Sequence, residues 1–455
     1  MVLAAGTFFW LVRALLALAP GIALLWPVKK IAALVAMAGA TAYCIFSGSD
    51  VATERSLIMT LVMFGAILAD RPALSIRNLS IAALIVLARE PEALLGPSFQ
   101  MSFGAVAAMM ALVPLMQGQA MEAAPHGFIE KGLLWMGRAM LGLLTTTLVA
   151  SIATAPFAAY HFQALNPYGL VGNALALPLV SLVVMPAAVL GVLAYPFGLD
   201  GPVWQLMGTA VSQVLEVSAW VGGFSGSTVI VPAMGVGALA FLSVAILILT
   251  IPASSLRWVA LLPAGAGLAL AAAPDRQDIY IDREGSGAAV RSAAGGLTLV
   301  GKPSFFVVEQ WLRADGDGRR AEDAGLRRDA RCDRIGCVVE TGGGRRIAFV
   351  QDETAFEEDC RRAAIVITRL RAPPRCDAAL VLDRDALAAR GATALRLGNE
   401  AIELRSVLKG RETFAWSGAG SAETEASPAR EKPRQAQPVP EQDYPEEEIS
   451  SGEPD

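Results

Sequence analysis

Long apolar segments, separated by few charges, make up the chain as far as Pro274, and charged residues become frequent only after it. Over all 455 residues 54% are hydrophobic and 17% are charged, whereas about 25% are charged in an average soluble domain. A membrane-spanning helix needs about 20 mostly apolar residues. The pattern predicts a mainly α, polytopic transmembrane bundle at 1–275, a small soluble α/β or α+β domain at 276–416 and a tail at 417–455.

About ten segments are predicted as spans, near 4–26, 31–48, 55–69, 78–95, 98–117, 133–158, 168–197, 203–224, 228–251 and 256–273. The third and fourth are short or broken, and the eighth carries Gln205, Gln213 and Glu216, so any of these three can be re-entrant or interfacial. With ten alternating spans, most loop cations fall on one side, which the positive-inside rule assigns to the cytoplasm. The prediction is a multi-pass protein of the plasma (inner) membrane, with its soluble domain outside the cytoplasm.

A polar cluster interrupts the apolar sequence between Thr154 and Pro186. It comprises His161, Gln163, Asn166, Pro167, Tyr168 and Asn173, and Pro156, Pro167, Pro178 and Pro186 each remove a backbone donor. Backbone freed at membrane depth is tolerated only where protein or a water-filled cavity satisfies it, and such broken helices are typical of transport paths. The alternative is an exposed Asn166-Pro167 loop between two ordinary spans.

Short alternating runs replace the long apolar segments after Asp278. IYID, AAVR, LTLVG, CVVET, RIAFV, AIVIT and ALVLD are predicted strands, with short helices at Thr354–Arg362 and Asp385–Arg390. Strands interleaved with helices indicate an α/β or α+β domain. The last segment is rich in Ser, Pro and Glu and ends EQDYPEEEISSGEPD, which predicts a disordered acidic tail.

The soluble domain contains an even set of cysteines: Cys332, Cys337, Cys360 and Cys376. In an oxidising compartment such a set favours two disulfides. Free thiols and a zinc site are the alternatives. No CxxC pair and no histidine lies in this domain, which disfavours zinc.

Three segments together resemble the competence domain of the ComEC family, the inner-membrane channels for DNA uptake. They are VATERSLIMT (51–60), EPEALLGPSFQMSFGAVAA (90–108) and ATAPFAAYHFQALNPYGLVGNALALPLVSLVVMP (153–186). The resemblance covers about residues 1–275. It implies a channel for single-stranded DNA in natural transformation, without catalytic residues, cofactor or metal.

The same resemblance selects residues that line the channel or contact DNA: Arg55, Gln100, Ser102, Asn166, Tyr168 and Asn173. Each also has a structural interpretation. Arg55 can be an interfacial anchor, Gln100 and Ser102 can cap a helix, and the two asparagines can bond between helices.

Partners follow from the resemblance as well. They are single-stranded DNA, membrane lipid, a periplasmic DNA receptor, a cytoplasmic DNA motor and further copies of the chain. No GxxxxGK[ST] loop is present, so the motor is expected to be a separate protein. Family members usually begin with a further soluble domain, so the chain is expected to be N-terminally truncated.

The region after residue 276 resembles the metallo-β-lactamase-like domain that ends many family members. A site of that kind needs several histidines to hold two metal ions, whereas this chain has only His126 and His161. Asp352 matches the metal-bridging aspartate, but Leu370 to Pro374 replace the expected His-His-Gly-Ser. The resemblance predicts a degenerate, catalytically empty relative.

Two other functions fit the residues without the resemblance. Polar breaks in apolar helices also suit a small-molecule permease or exporter. A membrane scaffold that presents the outer α/β domain to partners is the third interpretation.

Overall fold

The computed structural model of the protein describes residues 2–18, 26–117, 128–252, 254–398 and 401–408. The predicted disordered tail at 417–455 lies outside these ranges. Helices account for most of the chain up to Ala271. They are α1 (Val2–Ala17), α2 (Val28–Phe46), α3 (Val51–Leu68), α4 (Ile76–Arg89), α5 (Pro97–Gln117), α6 (Phe128–Phe162), α7 (Gly169–Leu179), α8 (Met185–Ala194), α9 (Gly201–Gly222), α10 (Val236–Thr250) and α11 (Leu261–Ala271).

The prediction of about ten spans is not supported. Within the described ranges, four helical segments are long and apolar enough to cross a membrane: Val28–Phe46, Val51–Leu68, Leu134–Phe162 and Gly169–Phe197. Helix α4 has 14 residues. It therefore rises about 21 Å, less than the hydrocarbon core of about 30 Å. The polar Gln205, Gln213 and Glu216 of α9 lower its hydropathy, and α1, α5, α10 and α11 form shorter apolar helices.

Small residues let the helices of the bundle approach each other closely. Ala33, Ala36 and Ala40 of α2 are fully buried in a cluster with Ala5 of α1. Gly104 of α5 lies so close to the Phe157 ring of α6 that a β-carbon there would be 3.0 Å from it. In membranes, where apolar burial between helices contributes little, such close approach supplies the packing energy.

The predicted interruption between 154 and 186 is concentrated in one place. Helix α6 continues through Pro156 and ends at Phe162, after which Gln163 adopts a positive φ of 49°. A two-residue strand, β1 (Ala164–Leu165), precedes the Asn166-Pro167 turn. Pro178 and Pro186 are accommodated without a break, because a π-helical turn at Val180–Val184 joins α7 to α8.

Strands and short helices follow the bundle. After β2 (Val229–Ile230, in the helical part) they are β3 (Ile279–Ile281), β4 (Gly287–Arg291), β5 (Leu297–Gly301), α12 (Phe305–Asp315), β6 (Arg331–Cys332), β7 (Gly336–Glu340), β8 (Arg346–Val350), α13 (Phe356–Arg362), β9 (Ile365–Thr368), β10 (Leu380–Leu382), α14 (Arg384–Arg390), β11 (Thr393–Leu397) and β12 (Ile402–Ser406).

Two five-stranded sheets form the C-terminal domain, which we call the soluble domain. Sheet I has the order β12-β11-β3-β4-β5 and is antiparallel, whereas sheet II has the order β10-β9-β8-β7-β6 and is parallel across β8, β9 and β10.

Alternation along the strands produces a layered core. Ile279 and Ile281 of sheet I face Ile347 and Ile365 of sheet II in a fully buried cluster between the sheets. The outer face of sheet I is covered by α12, and the outer face of sheet II by α13. Each predicted run contains a strand, so the prediction of a mixed α and β domain agrees with the structure.

The four cysteines of the soluble domain form two disulfides. Cys332 pairs with Cys337 across β6 and β7, and Cys360 of α13 pairs with Cys376 in the loop after β9. The fifth cysteine, Cys44 of α2, is buried and free. Both bonds therefore lie in the part of the chain predicted to be outside the cytoplasm.

Candidate functional site

Two of the sequence-selected residues, Arg55 and Gln100, lie in the first turns of α3 and α5, at the end of the bundle where α4 and α6 finish. Glu54 of α3 forms an ion pair with Arg89 of α4, at 3.0 Å between oxygen and nitrogen. A short 3₁₀ turn at Pro91–Leu95 then leads into α5. The Gln100 side-chain amide donates to the Leu94 carbonyl at 3.0 Å, which ties the first turns of α5 to this connection. We call this part of the bundle the polar end.

Arg55 is buried at the polar end, with only 5% of its surface exposed. Its Nε donates to the Val51 carbonyl at 3.3 Å, within the first turn of α3. Asp50 caps the same helix by accepting from the Ala52 backbone amide at 3.3 Å. The Arg55 side chain is therefore held along its own helix, with little of its surface exposed.

A side-chain hydrogen bond joins α5 to α6 at the polar end. Gln100 Oε1 lies 2.9 Å from His161 Nε2, and the imidazole ring also packs edge-on against the Tyr160 ring at 4.9 Å. The Gln163 amide, one residue beyond α6, donates to the Tyr160 carbonyl at 2.8 Å. Polar groups freed by the end of α6 are thus partly satisfied by side chains, as membrane burial requires.

The other selected residues are not gathered into this cluster. Ser102, Asn166 and Asn173 are exposed, and none of them makes a side-chain hydrogen bond to another described residue. Tyr168 is half-buried, and its ring contacts Phe224 at 5.6 Å between centroids. The structure therefore brings Gln100 together with His161 and leaves both asparagines able to bond to something outside the chain.

A short strand connects the polar end to the soluble domain. β2 pairs antiparallel with β1, and the Val231 amide donates to the Gln163 carbonyl at 2.9 Å. Two residues later, the Ala233 amide donates to the Ala314 carbonyl of α12 at 2.9 Å. The Asp275 amide in turn donates to the Ala233 carbonyl at 3.1 Å. We call residues 229–233 the docking segment, because it is hydrogen-bonded on both sides.

Ion pairs fix the soluble domain beside the docking segment. Asp275 pairs with Arg405 and, at 3.3 Å, with Arg396, so it links the end of the bundle to sheet I. Arg291 pairs with the buried Asp315 at the end of α12. Burial opposes the charge of Arg291, but hydrogen bonding and attraction from Asp315 raise its pKa above the ordinary value.

Comparison with models of protein families gives a match for this chain. A model of the family described as Competence protein matches residues 1–255. That range is more than half of the 455 residues and contains the whole polar end. The chain belongs to the Competence protein family. Neither the curated proteins nor the solved structures contain a significant match.

Membership in the Competence protein family points to a role in DNA uptake during competence. The matched range ends shortly before the soluble domain, whose first strand begins at Ile279. Together with the apolar helices, the match identifies a membrane protein. The family match thus agrees with the resemblance drawn from the polar segments.

Among the described residues of this competence protein, no group of three or more His, Cys, Asp or Glu side chains is placed to hold a metal ion. The Asp352 carboxylate accepts from the Thr354 amide at 3.0 Å and from its hydroxyl at 2.7 Å, so it caps a turn. In the loop from Leu370 to Pro374, Arg371 forms an ion pair with Asp385 at 2.9 Å.

His161 is the residue of the competence domain that sequence reasoning undervalued. The sequence places His161 in the polar cluster without a partner, whereas the structure gives it a hydrogen-bond partner 61 residues earlier in the chain. Spacing along the sequence cannot reveal such a pair. Its place in the polar cluster next to the end of α6 was the available signal.

Proposed function

We propose that this protein forms a passage for single-stranded DNA across the inner membrane during natural transformation. The observation that supports it best is the polar end, where a buried arginine and an interhelical Gln100–His161 pair occur within apolar helices, and the exposed Asn166 turn follows α6. Polar residues at membrane depth are costly, and in membrane proteins they mark transport paths. Family membership supplies the cargo, since the electrostatics of the bundle do not select DNA.

The proposed roles follow from the hydrogen bonds already made. Arg55 uses one N–H group on its own helix, so its remaining donors are available for a phosphate oxygen. Asn166 and Asn173 offer exposed amides that suit base edges or phosphate. Gln100 and His161 hold α5 and α6 at the spacing that the path needs, and Ser102 and Tyr168 border it.

Transport in this proposal needs no covalent chemistry by the chain. The soluble domain is proposed to be a catalytically empty relative of metallo-β-lactamase-like domains, because Asp352 caps a turn and histidines are absent from it. A separate cytoplasmic motor pulls the strand, and a periplasmic receptor delivers it. Further copies of the chain can complete the wall of the passage.

The proposed orientation puts the polar end and the soluble domain outside the cytoplasm. Lys30 and Asp70, which form an ion pair at 2.7 Å, mark the opposite end of the bundle. Loop cations concentrate at that opposite end, as is usual on the cytoplasmic side. The two disulfides agree with an oxidising compartment for the soluble domain.

Transformation of a naturally competent host that lacks its own copy tests the proposal. Asn166→Ala and Arg55→Ala are expected to reduce transformants by at least tenfold at unchanged protein level. Matched controls are Asn78→Ala and Arg77→Ala, at the opposite end of the bundle. Asn78 donates to the Pro72 and Ala73 carbonyls, so it holds the turn before α4.

Three outcomes would contradict the proposal in different ways. Normal transformation with both site variants removes the site assignment. Loss with the controls as well as with the site variants indicates a stability effect. The third outcome is measured in proteoliposomes that contain the site variants. If these variants take up single-stranded DNA like the wild type but no longer transport a small solute, the result supports a permease instead.

A further inference from the structure

A cationic cleft lies at the end of the bundle opposite to the polar end. It has a volume of about 460 Å³ and is lined by Arg13 of α1, Trp26, Lys29 and Lys30 at the start of α2, and Ile67 and Asp70 at the end of α3. Helix α3 has 18 residues, and Arg55 is near its start. At 1.5 Å per residue, the two ends of α3 are separated by about 27 Å. The cleft is therefore distinct from the polar end and does not depend on the proposed function.

The charges of this cleft do not balance. Lys30 Nζ lies 2.7 Å from the Asp70 carboxylate, and Asp70 is the only acidic residue among the lining residues. Arg13 and Lys29 form no ion pair with another described residue. The described lining thus carries two cations in excess. A cavity with this excess is complementary to one anionic group and its polar substituents.

The surroundings of the two unpaired cations favour a lipid. Arg13 lies one turn before the end of α1, a position from which the stem of an arginine can cover apolar surface while the guanidinium extends to the boundary with water. Trp26 is 62% exposed, and an exposed tryptophan at the end of a span is typical of the headgroup region. Ala17, Val28 and Ile67 supply apolar walls on which an acyl chain or glycerol backbone can rest.

We propose that this cleft binds the phosphate diester headgroup of an anionic phospholipid. Arg13 contacts the phosphate with its planar fork, which matches phosphate oxygens in a bidentate manner, and Lys29 contributes a point charge. Lys30 stays paired with Asp70 and fixes the start of α2 against the end of α3. The bound headgroup fills the space between α1, α2 and α3, so it stabilises the packing of these three helices.

Binding to the purified full chain in detergent tests this assignment. The probes are short-chain phosphatidylglycerol, phosphatidylcholine, inorganic phosphate and a single-stranded DNA oligonucleotide, and the readouts are native mass spectrometry and the melting temperature. Phosphatidylglycerol is expected to bind and raise the melting temperature, whereas phosphatidylcholine is not. One membrane-proximal cation contributes about 1 kcal/mol, which is about fivefold in affinity.

The variants carry quantitative expectations. Arg13→Gln and Lys29→Gln should each weaken phosphatidylglycerol binding about fivefold, and the double variant about 25-fold. Arg71→Gln with Arg77→Gln is the matched control, since both exposed arginines lie at the same end and outside the cleft. The control should bind phosphatidylglycerol like the wild type. A melting temperature of each variant in phosphatidylcholine alone shows that it has folded.

Every other result overturns the assignment. An equal loss with the control pair indicates attraction to the whole charged surface rather than to the cleft. Alternatively, the wild type binds inorganic phosphate or DNA and not phosphatidylglycerol, and the cleft variants lose that binding. This result shows that the phosphate group comes from another source. If phosphatidylglycerol and phosphatidylcholine bind equally, or if neither binds, the cleft is not a site for an anionic phospholipid.

Discussion

Replacing Gly316 by alanine is expected to loosen the contact between the soluble domain and the helical bundle. Gly316 ends α12 with a φ of +83°, and its amide donates to the Arg313 carbonyl at 3.0 Å. The Asp317 amide reaches back to the Leu312 carbonyl at 2.8 Å, which completes a Schellman cap. A β-carbon on Gly316 would lie 3.1 Å from Pro232 in the docking segment.

Two separate costs determine the size of the effect. A non-glycine residue in the left-handed region costs about 1 kcal/mol. Placing a methyl group inside the normal contact distance costs about 1–3 kcal/mol more. Gly295 isolates the first cost, because its φ is +85° and a β-carbon there meets nothing within 4 Å. Gly295→Ala should therefore lose about 1 kcal/mol, and Gly316→Ala about 2–4 kcal/mol.

Hydrogen exchange at the docking segment measures the difference between the two variants. The Ala233 amide is bonded to Ala314, so its exchange reports separation of the soluble domain from the bundle. An extra cost of about 1–3 kcal/mol corresponds to exchange faster by about 5- to 150-fold in Gly316→Ala. Gly295→Ala should exchange like the wild type in this segment.

The reasoning would be refuted by equal exchange of the docking segment in both variants. It would also be refuted if Gly316→Ala accelerated exchange in α12 alone and left residues 229–233 protected. Adding Pro232→Gly removes the Cβ and Cδ atoms that the new methyl group meets at 3.1 Å, and leaves the backbone nitrogen at 3.2 Å. The double variant should recover most of the difference, since the two substitutions act on one contact.

Three further predictions concern other parts of the molecule. Burial and two neighbouring carboxylates raise the pKa of Asp359, so its charged form destabilises the folded domain above that pKa. Asp359→Asn should raise the melting temperature at neutral pH. At about pH 3 it should match the wild type, because Asp359 is then protonated in both the folded and the unfolded state. A difference in melting temperature that persists at about pH 3 contradicts this. The Cys360–Cys376 disulfide spans 16 residues, and removing it should lower the free energy of unfolding of the soluble domain by about 3 kcal/mol. Urea unfolding of the full chain measures this change, and a decrease below about 1 kcal/mol argues against the prediction. Gln100→Leu removes the interhelical hydrogen bond to His161, worth about 0.6 kcal/mol, and also the bond to the Leu94 carbonyl. Protein level should stay constant while transformation falls, and His161→Gln should keep part of the activity; a parallel loss of protein would make the pair structural.

Much of the soluble domain could be predicted from its strands, because short apolar runs such as RIAFV are buried: Ile347 and Phe349 lie between the sheets, and Ala348 and Val350 lie against α13. Helix α12 was missed, although its buried Val308, Trp311, Leu312 and Asp315 follow helical spacing and Ser304 caps it. The order of strands within the two sheets was not predictable, since it depends on pairings far apart in sequence. The span count was overestimated because mean hydropathy does not fix helix length.

The polar end was predictable in composition but not in geometry. The prolines and polar residues after Thr154 indicated an interruption, and its position at Gln163 to Tyr168 agrees with the Asn-Pro sequence. The burial of Arg55 depends on how α3 packs against its neighbours, and no local pattern encodes that. The Gln100–His161 bond likewise requires α5 and α6 to be adjacent.

The docking segment has a consequence for the order in which the chain matures. The Ala233 amide donates to the Ala314 carbonyl, whereas Val231 is bonded to Gln163, which lies much earlier in the chain. The docking segment therefore cannot form both hydrogen bonds before α12 has been synthesised. A chain that stops before residue 314 would keep the partner of Val231 and lack the partner of Ala233.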